Sequence, residues 1–93
     1  MTESVINKLA QLISLSLIYN EQVSVSTTTF PRNQMLDVVI FKYSLVNGKE
    51  HSELYEPPLT IKLNSHDAIT QIDNLLVKIN RLYSSQANLV EAA

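Results

Sequence analysis

Ninety-three residues are enough for one domain with one modest core and too few for a second. The formal net charge of −2, from seven basic and nine acidic residues, excludes a polybasic nucleic-acid binder. There is no cysteine, so disulfides, thiolate zinc sites and a cysteine nucleophile are ruled out, and the cytoplasm is the expected compartment.

The first segment is helical. Val5, Leu9, Leu12, Ile13 and Leu17 share one face, with Ile6 beside them, and the pattern predicts a helix over Thr2–Ile18. Thr2 and Ser4 are both candidate caps. Glu3 precedes Lys8, and Gln11, Ser14 and Ser16 break the apolar run, so neither a signal peptide nor a membrane span is expected. Ser14–Ile18 also alternates like a strand, and Tyr19-Asn20 ends the helix.

Gln22–Phe30 alternates, with Val23, Val25, Thr27 and Thr29 on one side and Gln22, Ser24, Ser26 and Thr28 on the other. Its β-branched residues predict a strand with one face in water. Pro31-Arg32-Asn33 makes a turn. Met35–Val46 is the strongest strand. Val39, Phe41, Tyr43 and Leu45 form one apolar face; Leu36, Val38 and Ile40 occupy the other before Lys42 and Ser44 turn it polar. Its first half is therefore expected to be buried on both sides, as a central strand or at an interface.

Asn47-Gly48 holds the only glycine of the chain and predicts a two-residue type I′ hairpin. The register follows: Val46 faces Lys49, Leu45 faces Glu50, Lys42 faces Glu53, Phe41 faces Leu54 and Ile40 faces Tyr55. Lys42–Glu53 and Ile40–Tyr55 are favourable cross-strand pairs. Pro57-Pro58 ends the third strand or bends it at an edge. Leu59, Ile61 and Leu63 predict a short fourth strand or a continuation of the third.

The long helix is expected over Ser65–Tyr83. Ile69, Ile72, Leu76, Ile79 and Tyr83 recur at helical spacing, and Leu75 and Leu82 widen the stripe. Asn64 or Ser65 is the expected cap, and Asp67 suits the positive end of the dipole. Residues 84–93 are expected to be a frayed tail. The whole is one α+β domain over residues 1–93, of order α-β-β-β-(β)-α. An antiparallel three- to four-stranded sheet packs against an N-terminal and a long C-terminal helix.

Chemistry is sparse. One glycine cannot make a phosphate loop. His51 lies near Glu50 and Glu53, and His66 is followed by Asp67, but a metal site would need both histidines and a carboxylate to converge, and nothing in the spacing brings them together. Glu50, Glu53 and Glu56 alternate faces of a strand, so they form no catalytic pair and read as edge protection. No catalytic, metal or cofactor-binding residue is therefore assigned, and no cofactor is expected. Tyr19, Phe30, Phe41, Tyr43, Tyr55 and Tyr83 read as packing residues. Lys42, Lys49 and Lys62 are offset by Asp37, Glu50, Glu53 and Glu56, unlike the basic setting of a single-strand binder.

The α-β-β-β-α order resembles in topology the double-stranded-RNA-binding domain. Those domains carry a basic cluster at the start of the last helix. Here that place is Ser65-His66-Asp67-Ala68, whose aspartate repels phosphate.

Charged residues make up 17% of the chain, below the typical ~25%, so self-repulsion is weak. The leading expectation is a small non-enzymatic protein–protein interaction or regulatory module, such as an adaptor, inhibitor or chaperone-like domain. It is expected to act as a homodimer and to bind a protein partner without membrane association. Leu36, Val38, Ile40, Leu75 and Leu82 are the candidate interface residues. Leu36, Val38 and Ile40 must be covered either by helices on opposite sheet faces or by a second copy of the chain. The alternatives are a nucleic-acid-binding domain of α-β-β-β-α type and a small enzyme using His51, His66 or Glu50–Glu56.

Overall fold

The computed structural model describes residues 2–85. In chain order the elements are α1 (Glu3–Ser16), β1 (Val23–Phe30), β2 (Met35–Val46), β3 (Lys49–Leu54), β4 (Leu59–Lys62) and α2 (Ala68–Ser85). This is the α+β architecture that the sequence predicts, with the fourth strand present.

Helix α1 starts where a cap can satisfy its free amides. Thr2 is extended, and its hydroxyl accepts from the Val5 amide at 3.2 Å. The helix closes at Ser16, two residues earlier than the stripe suggests. Helix α2 begins at Ala68 rather than Ser65, after a turn in which the Ala68 amide bonds to the Ser65 carbonyl at 3.3 Å. Asp67 sits at the start, accepting from the Ser65 hydroxyl at 2.7 Å and from Gln71 Nε2 at 2.9 Å. Those hydrogen bonds, Ser65 first, hold its carboxyl below the usual carboxylate range. At the other end Ser84 and Ser85 continue the helix, so the expected tail cannot begin at Ser84; residues 86–93 lie outside those described.

The sheet is organised on β2. Strand β1 pairs antiparallel with Met35–Lys42, and β3 pairs with Phe41–Val46 in the register read from the sequence. The ladder ends at Phe41–Leu54, and the Tyr55 amide then adds a bond to the Ile40 carbonyl at 2.9 Å. Asn47 and Gly48 both have positive φ, 53° and 76°, as a type I′ turn requires. Strand β4 pairs with Met35–Val38. Because β1 already holds one edge of that stretch, β4 lies on the same edge as β3. The two are one strand interrupted by Tyr55–Pro58, where prolines cannot supply ladder amides.

Side chains alternate across β2, and the burial shows which face is inside. Leu36, Val38 and Ile40 are buried, with Val23 and Val25 of β1 and Ile61 of β4 beside them. Val5 and Leu12 of α1 and Ala68, Ile72, Leu75 and Ile79 of α2 complete this single core. Both helices therefore lie on one side of the sheet. The expected choice between helices on opposite faces and a second copy over Leu36, Val38 and Ile40 is corrected: two helices of the same chain, packed side by side, cover that face.

Helix α2 is also rotated from the expected centre line. Leu75 is 2% exposed, whereas Leu76 is only partly buried. The wide stripe serves two neighbours. Asp73 reaches Lys8 at 2.8 Å and the Tyr83 hydroxyl donates to the Leu15 carbonyl at 3.2 Å, so the row through Ile69, Leu76 and Tyr83 faces α1. Burial there pushes the Tyr83 phenol above its ordinary pKa. On the other flank Lys78 pairs with Glu56 at 2.7 Å, which turns Leu75 and Leu82 toward the β3–β4 side.

Candidate interaction surface

The residues proposed from sequence as an interface are largely used up within the chain. Leu36, Val38, Ile40 and Leu75 are at most 3% exposed, and Leu82 is half-buried. The apolar face left open is the other one. Met35, Val39, Phe41, Tyr43 and Leu45 run along it, all half-buried and none in the core. Among the described residues, no helix lies on this side.

Strand register fixes what flanks each of them. Phe41 stands between Ser24 and Leu54, Val39 beside Ser26, and Met35 between Phe30 and Lys62. Phe30 is 42% exposed and Leu54 49%. The short hydroxyl side chains of β1 make low walls, so the apolar row on β2 stands open rather than shielded. Two polar links cross the face. The Thr60 hydroxyl donates to Asp37 Oδ1 at 2.8 Å, and the Ser24 and Tyr43 hydroxyls are 2.9 Å apart. An open face of aromatic and aliphatic side chains among hydroxyls is suited to desolvation against a partner, since few charges need stripping of water.

Among the clefts that open elsewhere, two are of similar size. One of about 620 Å³ lies at the base of the β2–β3 hairpin, between Leu17, Ile18, Tyr19, Glu21, Tyr43 and Glu50. Its lining carries the Glu21 and Glu50 carboxylates together with the hydroxyls of Ser16, Tyr19, Ser24 and Tyr43. The other, of about 610 Å³, lies between Tyr55 and the Val77, Lys78 and Arg81 side of α2.

The remaining titratable groups are dispersed. His51 stands opposite Ser44 in the hairpin, and His66 lies in the turn before α2. Glu50 faces Leu45, Glu53 faces Lys42 and Glu56 holds Lys78, so the three glutamates part as strand alternation demands. Among the described residues no three His, Asp or Glu side chains come together as a metal site would need, and no helix is long and apolar enough to cross a membrane.

Sequence reasoning read Asn20 only as the end of the first helix and missed its hydrogen bonds. Its side-chain oxygen accepts from the Gln22 amide at 2.9 Å and the Val23 amide at 3.1 Å, and its amide donates to the Tyr83 carbonyl at 3.5 Å. It ties the start of β1 to the end of α2. An asparagine before a β-branched run was the signal, although its distant partner was not in the local pattern. Compared with models of protein families, with curated proteins and with solved structures, the chain matches none.

Proposed function

We propose that this chain is a small non-enzymatic protein-interaction module, working as a homodimer, whose partner-binding surface is the open sheet face. The observation that carries the reading is the uncovered row of Met35, Val39, Phe41, Tyr43 and Leu45 with exposed Phe30 and Leu54 alongside. The groups flanking that row are mostly hydroxyls, and Asp37, Glu50 and Lys62 are its charges. A nucleic-acid surface needs a basic excess, which this face lacks. The start of α2, where a phosphate would dock, is held by Asp67.

The test replaces Val39 with Lys. The side chain points away from the core, so the fold should keep its melting temperature within a few degrees. Affinity capture from the native host with wild type and V39K should give proteins held by the first and released by the second. Equal recovery by a folded V39K would exclude the open face as the binding surface.

A further inference from the structure

We propose that the homodimer forms along the outer edge of β1, where the strand pairs antiparallel with β1 of a second copy in a register centred on Thr27. The inference rests on the homodimer reading above and specifies how it is built.

The two edges of the sheet differ. The β3–β4 edge carries Lys49, Glu50, His51 and Glu53 and is broken at Pro57-Pro58. Charges and prolines are the usual devices that keep a sheet edge from pairing. Strand β1 reads VSVSTTTF, eight residues without a charge, proline or glycine. Its partner among the described strands is β2 alone.

The pairing pattern says which groups are free. The Tyr43 amide bonds to the Gln22 carbonyl, so even-numbered residues of this segment turn their backbone groups to β2. Val23, Val25, Thr27 and Thr29 turn theirs outward. The Val23 amide is already taken by Asn20. The free run is therefore Val25 to Thr29, and its midpoint is Thr27. A two-fold axis there joins Val25 to Thr29 of the second copy, Thr27 to its equivalent, and Thr29 to Val25. Every outward amide of the run gains a carbonyl. The charges nearest the strand are Glu21 before it and Arg32 after it. Antiparallel pairing sets the Glu21 end of one strand beside the Arg32 end of the other, whereas parallel pairing would set like against like.

Helix α1 supplies a second, independent sign. It packs on β1, and Lys8 marks its side toward α2. At about 100° per residue, Ile6, Ala10 and Ile13 stand roughly 140–160° round from Lys8. They form an apolar flank turned away from α2, over the free edge. Ile6 is 50% exposed. Pairing of the two β1 edges brings this flank against its copy, on the helix side of the joined sheet. On the other side the two open faces become one continuous surface.

Sedimentation from about 1 to about 500 µM should show a monomer–dimer equilibrium. The Thr27 amide makes no bond to β2, so Thr27→Pro removes only the outward donors and should raise the dissociation constant roughly tenfold or more. Ile6→Lys, on an exposed helix position, should do the same and serves if the proline variant fails to fold. The register is read by disulfide formation in this cysteine-free chain. Ser26 of one copy faces Thr28 of the other in a non-hydrogen-bonded pair, at about 4.5 Å between Cα atoms. The double variant Ser26→Cys, Thr28→Cys should therefore oxidise to a covalent dimer, and each single variant should not. A wild type that stays monomeric throughout overturns the homodimer reading and this inference with it. A dimer that keeps its affinity in folded Thr27→Pro and Ile6→Lys overturns the edge pairing alone. Equal cross-linking of the single and double cysteine variants overturns the register.

Discussion

Leucines 75 and 76 are adjacent on α2, and truncating each in turn measures the rotation of the helix. Leu75 is 2% exposed in the core, and Leu76 is only partly buried in the row facing α1. Leu75→Ala removes three carbons, worth about 2.4 kcal/mol at ~0.8 kcal/mol per buried carbon. The cavity left under the helix adds to this, and about 3 kcal/mol is the expected total, within the usual 2–5 kcal/mol for buried leucine. The Leu76 side chain keeps part of its surface in water, so its truncation should cost about 1–2 kcal/mol. In a domain of this size the first change should lower Tm by roughly 12–24 °C and the second by roughly one to two thirds of that. Urea and thermal unfolding followed by circular dichroism give both values. A larger loss at Leu76 than at Leu75 would mean that α2 presents its other row to the sheet, and the core described above would be wrong.

The hairpin turn is probed by Gly48→Val. Beyond its two chain neighbours nothing lies within 4 Å of where its Cβ would stand, so the cost comes from the +76° φ, about 1–2 kcal/mol; an unchanged urea midpoint would reject the type I′ turn. Asp67 should carry a pH signature. Its folded pKa is lowered, so its contribution is present above the unfolded value near 4 and fades as pH falls through the folded one. Asp67→Asn should therefore melt below wild type at neutral pH, with the gap closing as pH falls below the unfolded value; a gap independent of pH would assign the loss to something other than the carboxylate.

The hairpin was legible because its information is local. Asn47-Gly48 admits few turn geometries, and one turn fixes every later pair down to Phe41–Leu54. The core face of β2 was not legible in the same way. Leu36, Val38 and Ile40 on one side and Val39, Phe41 and Tyr43 on the other are similarly apolar, and only the docking of α1 and α2 distinguishes them. The one-position rotation of α2 has the same origin. A stripe holding both Leu75 and Leu76 fits two orientations, and long-range pairs such as Lys8–Asp73 select between them. The open face was therefore read residue by residue from the sequence but assigned to the interior. The link from Asn20 to Tyr83 went unnoticed because the two residues lie 63 positions apart.

The hairpin outruns its support. Strand β1 pairs no farther along β2 than Lys42, opposite Val23, while β2 and β3 continue together to Val46 and Lys49. Past the bond from the Tyr43 amide to Gln22, this ribbon has two strands and contributes nothing to the buried core. Two strands alone are marginal in water, so the tip can part and re-form while the rest of the sheet stays closed. Amide hydrogens near the turn, such as that of Lys49, should then exchange with solvent through these brief openings. Those of Leu36, Val38 and Ile40 should wait for the whole domain to unfold, and the boundary between fast and slow exchange along β2 should fall near Lys42.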